Sequence, residues 1–379
     1  MRAGIFNGHM LPMGGTERVT LATIDVLSTI GWEVDLYVLA RFNPAELAPG
    51  FGSAARTCYR IRTTKVPEFL RRAEMLRRGG VYLNLFRSFM EKRVEDCDIF
   101  FDMAPFTSLG PTYFRLPDLV YWNLAPIDLD VLYSTRYGVL GELYAKPFRA
   151  LLRHLLKRWK LIKVHVANSE FIRNVIINRL DGGLKPLVIY PPVDIDRWTV
   201  STGILGPRTG IASFARFDAW KRHDLQVRMM QGLESHLKMI GRAIKDIEVT
   251  HLEWLKAAAR NDVNVQFCVN LPQTEVKRLL SSSKVFIHTA DAEPFGITIV
   301  EAIAAGCIPI VRDDGGTREI VPFEELRFET IEEGREKMRR ALKGEYDHLL
   351  SKLKEHIRRF DQETFRREMT KTVLRLSNE

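Results

Sequence analysis

Glu293-Pro-Phe-Gly-Ile-Thr-Ile-Val-Glu301, continued by Ala302-Ile-Ala-Ala-Gly306, decides how this chain folds. The apolar run Lys284-Val-Phe-Ile-His288 before it predicts a buried strand, and 298–305 predicts a helix. Glu293 and Glu301 therefore flank a short loop and the first turn of a helix, at the carboxyl end of a parallel strand. Open α/β sheets bind ligands there. The helix start, with backbone N–H groups at Phe295, Gly296 and Ile297, suits an anion. The carboxylates suit the donor hydroxyls of a sugar. An anion and a sugar on one molecule describe a nucleotide sugar.

The strand–helix alternation extends in both directions from this stretch. After Pro191-Pro192 and Val193-Asp-Ile-Asp196, read as an extended linker, strands are predicted at 211–214, 236–240, 263–269, 285–288 and 308–311. Helices are predicted at 224–230, 251–261, 274–282 and 332–342, with a further unit opening at 315–320. Before the linker, strands are predicted at 3–6, 32–39, 98–102, 119–122, 164–167 and 187–190. Helices are predicted at 17–30, 67–93 and 139–162. This is a repeated βαβ pattern, hence two parallel sheets carrying helices on both faces. The expected division is a first domain over 1–190 and a second over 191–359. The helical tail, 360–379, follows the second.

Composition narrows the partner. The chain has 379 residues, 46% hydrophobic and 27% charged, which suits two ordinary globular domains. No apolar run reaches the roughly 18–20 residues of a membrane span. The first residues read directly as a strand rather than as a signal peptide. The expected location is therefore cytoplasmic, with the membrane face as an option. Cys58, Cys97, Cys268 and Cys307 lack metal-ligand spacing and read as reduced structural thiols.

The formal charge of +9, from 56 Lys and Arg against 47 Asp and Glu, favours an anionic partner. Much of the excess lies between Lys146 and Lys163, which holds eight basic residues and no acid. Interleaved Leu residues and Trp159 allow two readings. One is a basic helix lying on an anionic membrane; the other is a domain helix that buries its Leu stripe and solvates its charges. A second basic cluster runs from Arg71 to Arg93. No nucleic-acid motif accompanies the charge, and no nucleic acid is expected as a partner.

Other local patterns carry chemistry. Gly14-Gly15-Thr16-Glu17 joins the first strand to the first helix. Glycines there allow close approach to a phosphate, although a turn with a helix cap explains them as well. Arg216 and Lys221 follow the strand at 211–214. An Arg fork and a Lys point charge can converge on a pyrophosphate and stabilise it as it leaves; solvated surface charge is the plainer reading. Asp128/Asp130 and Asp194/Asp196 read as caps or turns, so no metal is assigned.

Taken in order, these pieces resemble the retaining glycosyltransferases of family 4, of GT-B fold. They are Gly14-Gly15, Val166-Ala-Asn-Ser-Glu-Phe171, Val188-Ile-Tyr-Pro-Pro-Val-Asp194, Arg216 with Lys221, Leu271-Pro272, the Glu293–Glu301 pair around Phe295-Gly296, and Gly315-Gly316. The resemblance covers nearly the whole chain. It implies two Rossmann-like domains facing a cleft, the acceptor bound by the first and the nucleotide sugar by the second, with the C-terminal helix, 360–379, packing back on the first. It implies that Arg216 and Lys221 hold the diphosphate and that Glu301 binds the ribose. Glu293 would contact the donor sugar, with Phe295, Gly296 and Ile297 presenting amides. Gly14 and Gly15 would approach the phosphates. Many relatives carry a His where Tyr121-Trp-Asn-Leu-Ala-Pro126 places Asn123, an acceptor-side candidate that cannot take a proton at neutral pH.

Tyr121 to Tyr144, Tyr190-Pro-Pro-Val-Asp194 and His288-Thr-Ala-Asp-Ala-Glu-Pro-Phe-Gly296 are similar to mannosyltransferases that extend polyprenyl- or dolichol-linked oligosaccharides. That implies GDP-mannose as donor, a glycan or lipid-linked acceptor, and no required cofactor. UDP-sugar glucosyl or N-acetylglucosaminyl transfer, an epimerase, and a non-catalytic membrane-binding scaffold of the same fold are the competing expectations.

Overall fold

The structure is a computed structural model. It describes residues 1–7, 10, 14–38, 59–63, 97–103, 116–123, 159–179, 183–199, 207–244, 246–259 and 264–378. The predicted helix at 67–93, most of that at 139–162, the cluster at 71–93, Asp128/Asp130 and Cys58 lie outside the described residues. The chain divides into two compact units, Met1–Pro192 with Glu363–Glu379, and Val193–Gln362.

The first unit runs β1 (Arg2–Phe6), α1 (Gly15–Thr29), β2 (Glu33–Val38), β3 (Arg60–Thr63), β4 (Ile99–Asp102), β5 (Leu119–Trp122), β6 (Val164–Ala167), α2 (Glu170–Arg179) and β7 (Leu187–Val188). The strands form one sheet in the order β3-β2-β1-β4-β5-β6-β7, parallel throughout. β4 and β5, Ile-Phe-Phe-Asp and Leu-Val-Tyr-Trp, are buried at every position. Continuous burial is what a parallel strand covered on both faces requires. The sequence reading missed edge strand β3 because Arg60-Ile-Arg-Thr63 has little apolar content. Its register is set by charge: Arg60 and Arg62 reach the buried Asp35 of β2 at 2.8 and 3.3 Å.

Beyond β5, Trp122 Nε1–H donates to His165 Nδ1 at 3.1 Å, and His165 Nε2–H donates to the Trp159 carbonyl at 3.0 Å. Those bonds fix His165 as the Nε2–H tautomer, and burial lowers its pKa. The Trp159 ring meets Trp122 edge-on at 4.8 Å, inside a buried cluster with Ile162, Ile172 and Ile176. Trp159 is therefore core, as the domain-helix reading of this segment expects.

The second unit runs α3 (Ile195–Trp198), β8 (Ile211–Phe214), α4 (His223–Met230), β9 (Leu237–Gly241), α5 (Asp246–Ala258), β10 (Val265–Val269), α6 (Gln273–Ser282), β11 (Val285–His288), α7 (Ile297–Ala305), β12 (Ile308–Arg312), α8 (Thr317–Ile320), β13 (Arg327–Phe328), α9 (Ile331–Lys343) and α10 (Leu350–His356). Its sheet order is β10-β9-β8-β11-β12-β13, again parallel. Strand order reverses between β8 and β11, the switch point where such sheets open a crevice at their carboxyl ends. Asp194 caps α3 by accepting from the Arg197 N–H at 3.1 Å, and Asp196 pairs with Arg358 at 2.8 Å. Both carboxylates are thus occupied structurally.

The last helix, α11 (Gln362–Ser377), belongs from Glu363 onward to the first unit. Phe365, Met369, Val373 and Leu376 lie four, four and three residues apart, one helical stripe. They enter the core with Val19, Ile24, Leu36 and Phe101. Arg366 pairs with Asp25 of α1 at 2.8 Å.

Candidate active site

Three loops at the carboxyl ends of β8, β11 and β12 build the site. The β11 loop carries Glu293, 8% exposed. Lys221, from the 3₁₀ turn Ala219–Lys221 that follows β8, places Nζ 2.5 Å from Glu293 Oε2. His288, the last residue of β11, places Nε2 3.0 Å from that same oxygen. Burial alone would raise the Glu293 carboxyl. The Lys221 charge and the His288 hydrogen bond outweigh it and hold the group well below the usual carboxylate range. Glu293 is therefore an ionised, buried acceptor.

The loop is held by its neighbours. Thr289 Oγ1 lies 2.9 Å from the carbonyls of Lys221 and Arg222, tying the β11 loop to the Lys221 turn, and Gln226 donates to it at 2.9 Å. Arg222, in the left-handed region at φ 50°, bonds Asp224 and reaches Asp291 at 2.9 Å. Arg312 pairs with Asp291 at 2.8 Å. From the β12 loop, Asp314 accepts from the Ala292 N–H at 2.8 Å, and the Gly316 N–H donates to the Glu293 carbonyl at 2.7 Å. Gly315 has φ +69°, and a Cβ there would stand 2.5 Å from the Glu293 carbonyl oxygen. The glycine pair exists because two backbones touch.

α7 starts at Ile297 behind Gly296, whose φ of 109° turns the chain into the helix with no side-chain cap. The Ile299 N–H donates to the Gly296 carbonyl at 2.9 Å; the N–H groups ahead of it have no acceptor within the helix, so this end of α7 offers donors and a positive dipole. Phe295 is buried and meets Phe360 edge-on at 5.1 Å. Glu301 lies one turn into α7 and is fully buried.

The other sequence candidates fall elsewhere. Arg216 follows β8 and is exposed, and its guanidinium bonds no described residue. It shares a sheet edge with Glu293 and Lys221 without joining their cluster. In the first unit, Gly14 is the N-cap of α1 and makes no side-chain cap. The Glu17 carboxylate folds over it, since a Cβ on Gly14 would lie 1.8 Å from Glu17 Oε2. An acid already sits at that helix start. Asn123 donates Nδ2 to the Met103 carbonyl at 2.9 Å, and its own carbonyl accepts from Asn168.

The sequence reading missed His288. The signal was present: a polar residue closing an otherwise apolar strand, five residues before Glu293. It also missed His223, fully buried at the start of α4, whose ring nitrogens bond no described residue. Burial, with His251 and Lys221 nearby, pushes its pKa down to about 3. Among the described residues no cluster of His, Cys, Asp and Glu could hold a metal ion.

Two parallel-sheet Rossmann-like units with these loops define a protein of the GT-B class. Solved structures share the fold. Sucrose-phosphate synthase from Thermosynechococcus elongatus superposes with a TM-score of 0.73 at 15% identity, covering 99% of this chain and 98% of that one. Anabaena Alr3699/HepE, in complex with UDP and glucose, gives 0.68 at 15%, covering 98% and 99%. Residues 194–360, which lie within the second unit, match the family of glycosyl transferases group 1.

Curated relatives named GDP-Man:Man(3)GlcNAc(2)-PP-Dol alpha-1,2-mannosyltransferase match at 29% identity in Dictyostelium discoideum, over 57% of this chain and 48% of the relative. In Xenopus laevis the match is 29%, over 66% and 49%. In Homo sapiens it is 30%, over 42% and 36%. The aligned segments span about half the length of these relatives or less. The resemblance to GT-B glycosyltransferases, and to mannosyltransferases among them, therefore holds.

Proposed function

We propose that the chain is a retaining hexosyltransferase that moves mannose from GDP-mannose to a hydroxyl of a glycan or polyprenyl- or dolichol-linked acceptor. The observation that carries the reading is the cluster at the switch point of the second sheet, where Lys221 and Glu293 meet beneath the open start of α7. The names of the curated relatives support mannose and the lipid-linked acceptor.

In this reading the donor diphosphate lies between Arg216, Lys221 and the amides of Phe295, Gly296 and Ile297. Glu301 binds the ribose hydroxyls. Glu293 accepts from hydroxyls of the hexose. Asn123 belongs to the acceptor side. The bond from the anomeric carbon to the diphosphate oxygen breaks with its electron pair going to the phosphate, and Lys221 and Arg216 stabilise that charge. The acceptor oxygen attacks the same face, and its proton passes to the departing phosphate oxygen. Glu293 positions the sugar and forms no covalent bond. Basic residues 146–163 bring the protein to an anionic cytoplasmic membrane face, where lipid-linked acceptors reside.

Calorimetry with GDP-mannose, UDP-glucose and UDP-N-acetylglucosamine, followed by turnover with a polyprenyl-diphosphate oligosaccharide, tests this. GDP-mannose is expected to bind tightest and the product to keep the donor's anomeric configuration. Lys221→Ala is expected to lose about 10²–10³ in turnover. Unchanged turnover in that variant, an inverted product, or conversion of donor without acceptor refutes the assignment. Isolation of a mannosyl-Glu293 adduct refutes the one-step path. Equal sedimentation with neutral and anionic vesicles refutes the membrane role of 146–163.

A further inference from the structure

His288 closes β11 and is buried with the rest of that strand. Its ring lies parallel to Phe286, centroids 6.5 Å apart and planes 11° apart. Packing alone could be met there by an apolar residue, and a buried imidazole costs free energy unless it is hydrogen-bonded. The polar partner is Glu293. Nε2 lies 3.0 Å from Oε2, the oxygen that also takes Lys221 Nζ. Oε1 accepts nothing from a described residue. A carboxylate offers lone pairs on both oxygens. Both protein donors are thus gathered on one oxygen, and the other is left for a ligand.

We propose that His288 is a positioning residue for Glu293: its Nε2–H holds Oε2 so that Oε1 is presented to the donor hexose. This rests on the reading of Glu293 as the sugar-contacting carboxylate. Lys221 serves two anions in that reading, Glu293 and the donor diphosphate, and its flexible stem lets the ammonium turn toward the phosphates. His288 serves one. Set on a buried strand, it keeps the carboxylate aligned while Lys221 redistributes its hydrogen bonds.

The test compares wild type, His288→Leu and His288→Gln. Three quantities are read: GDP and GDP-mannose affinity by calorimetry, kcat and KM, and the titration of the Glu293 carboxyl by carbon-13 NMR without ligand. In His288→Leu, GDP affinity is expected to stay within about 2-fold while the extra affinity of GDP-mannose over GDP disappears. Its kcat is expected to fall about 10–100-fold, the scale of a misplaced contact, and the Glu293 carboxyl to titrate at higher pH. His288→Gln retains an N–H donor and is expected to recover part of each effect.

An unchanged preference for GDP-mannose in a folded His288→Leu protein overturns the proposal. So does loss of GDP and GDP-mannose binding in proportion, with no rescue by Gln, which is the behaviour of a merely structural residue. If wild type itself does not distinguish GDP-mannose from GDP, the sugar role of Glu293 fails. The carboxyl titration then still decides whether His288 holds Glu293, and an unmoved titration overturns that as well.

Discussion

Lys221 and Glu293 each gain from the other and lose heavily alone. Their side chains are 22% and 10% exposed, so the pair is mostly desolvated. Removing one partner of a buried pair strands the other charge, at about 3–5 kcal/mol when burial is complete. Lys221 keeps some solvent and His288 remains on Glu293, so Lys221→Met is expected to cost about 1–3 kcal/mol. Adding Glu293→Gln to that variant is expected to restore most of the stability and none of the turnover. Urea unfolding of the two variants checks the first claim and donor turnover the second. Glu293 was legible as a candidate from residue type and its place after a strand, whereas Lys221 and Arg216 read locally as surface charge and became candidates through the family resemblance. The geometry among them was not legible, because Lys221 and Glu293 are 72 positions apart and their pairing depends on β8 and β11 being sheet neighbours. His288 went unread because a strand-ending His looks like core until its partner is known.

Elements meet at this site backbone to backbone. The loop after β12 lies against the loop after β11, and Gly315 permits it with φ +69° and no Cβ. Gly315→Ala would bring a methyl to 2.7 Å from the Glu293 nitrogen, and neither backbone can yield cheaply. The variant is expected to lose about 1–3 kcal/mol from the left-handed backbone and the clash, and to weaken nucleotide-sugar binding because Glu293 shifts. Thermal melting and calorimetry read these two effects separately. A contrasting case is α9, whose Thr330 accepts from the Glu333 N–H at 3.2 Å while Glu333 accepts from the Glu329 N–H at 2.9 Å. Thr330→Ala is expected to cost about 1 kcal/mol and to leave turnover unchanged. Strands β5, β6, β8 and β11 were readable at their true limits since apolar runs bounded by turns have few alternatives. α5 was placed from 251 but begins at Asp246, because Ile247, Val249 and Thr250 read locally as neither helix nor strand.

At the scale of the molecule, stability depends on protons held off buried groups. The folded pKa of His223 is pushed down to about 3, against roughly 6.5 in an unfolded chain. Between those values the unfolded state binds the extra proton, so stability falls as pH drops below about 6.5. Glu293, with a depressed carboxyl, adds stability above the ordinary carboxylate pKa near 4.3 that is lost below it. The acid limb is expected to have two parts, histidine first and carboxylate second. His223→Phe is expected to flatten the upper part by up to about 1.4 kcal/mol per pH unit, leaving His165, also lowered, as a remaining contributor. Urea titrations from pH 7 to 4 measure it. The C-terminal helix sets a second dependence. Ending the chain after Asp361 removes Phe365, Met369, Val373 and Leu376 from the first core, each worth about 1.5–3 kcal/mol. Amide exchange is expected to accelerate in β1 and β2 while β8, β11 and β12 keep their protection.

The sequence by itself determined the two parallel sheets, since continuous apolar strands separated by amphipathic helices have few other ways to bury both faces. It also determined the acid-and-glycine loop after β11, because residue type there follows from local backbone need. Only the tertiary structure decided that Trp159 is core, which side chains of α11 enter the first unit's core, and that Lys221 and His288 converge on one oxygen of Glu293. These are contacts between segments remote in sequence. Their energies come from shared burial and from charges brought within hydrogen-bond distance, and no window of the chain contains both halves of such a contact.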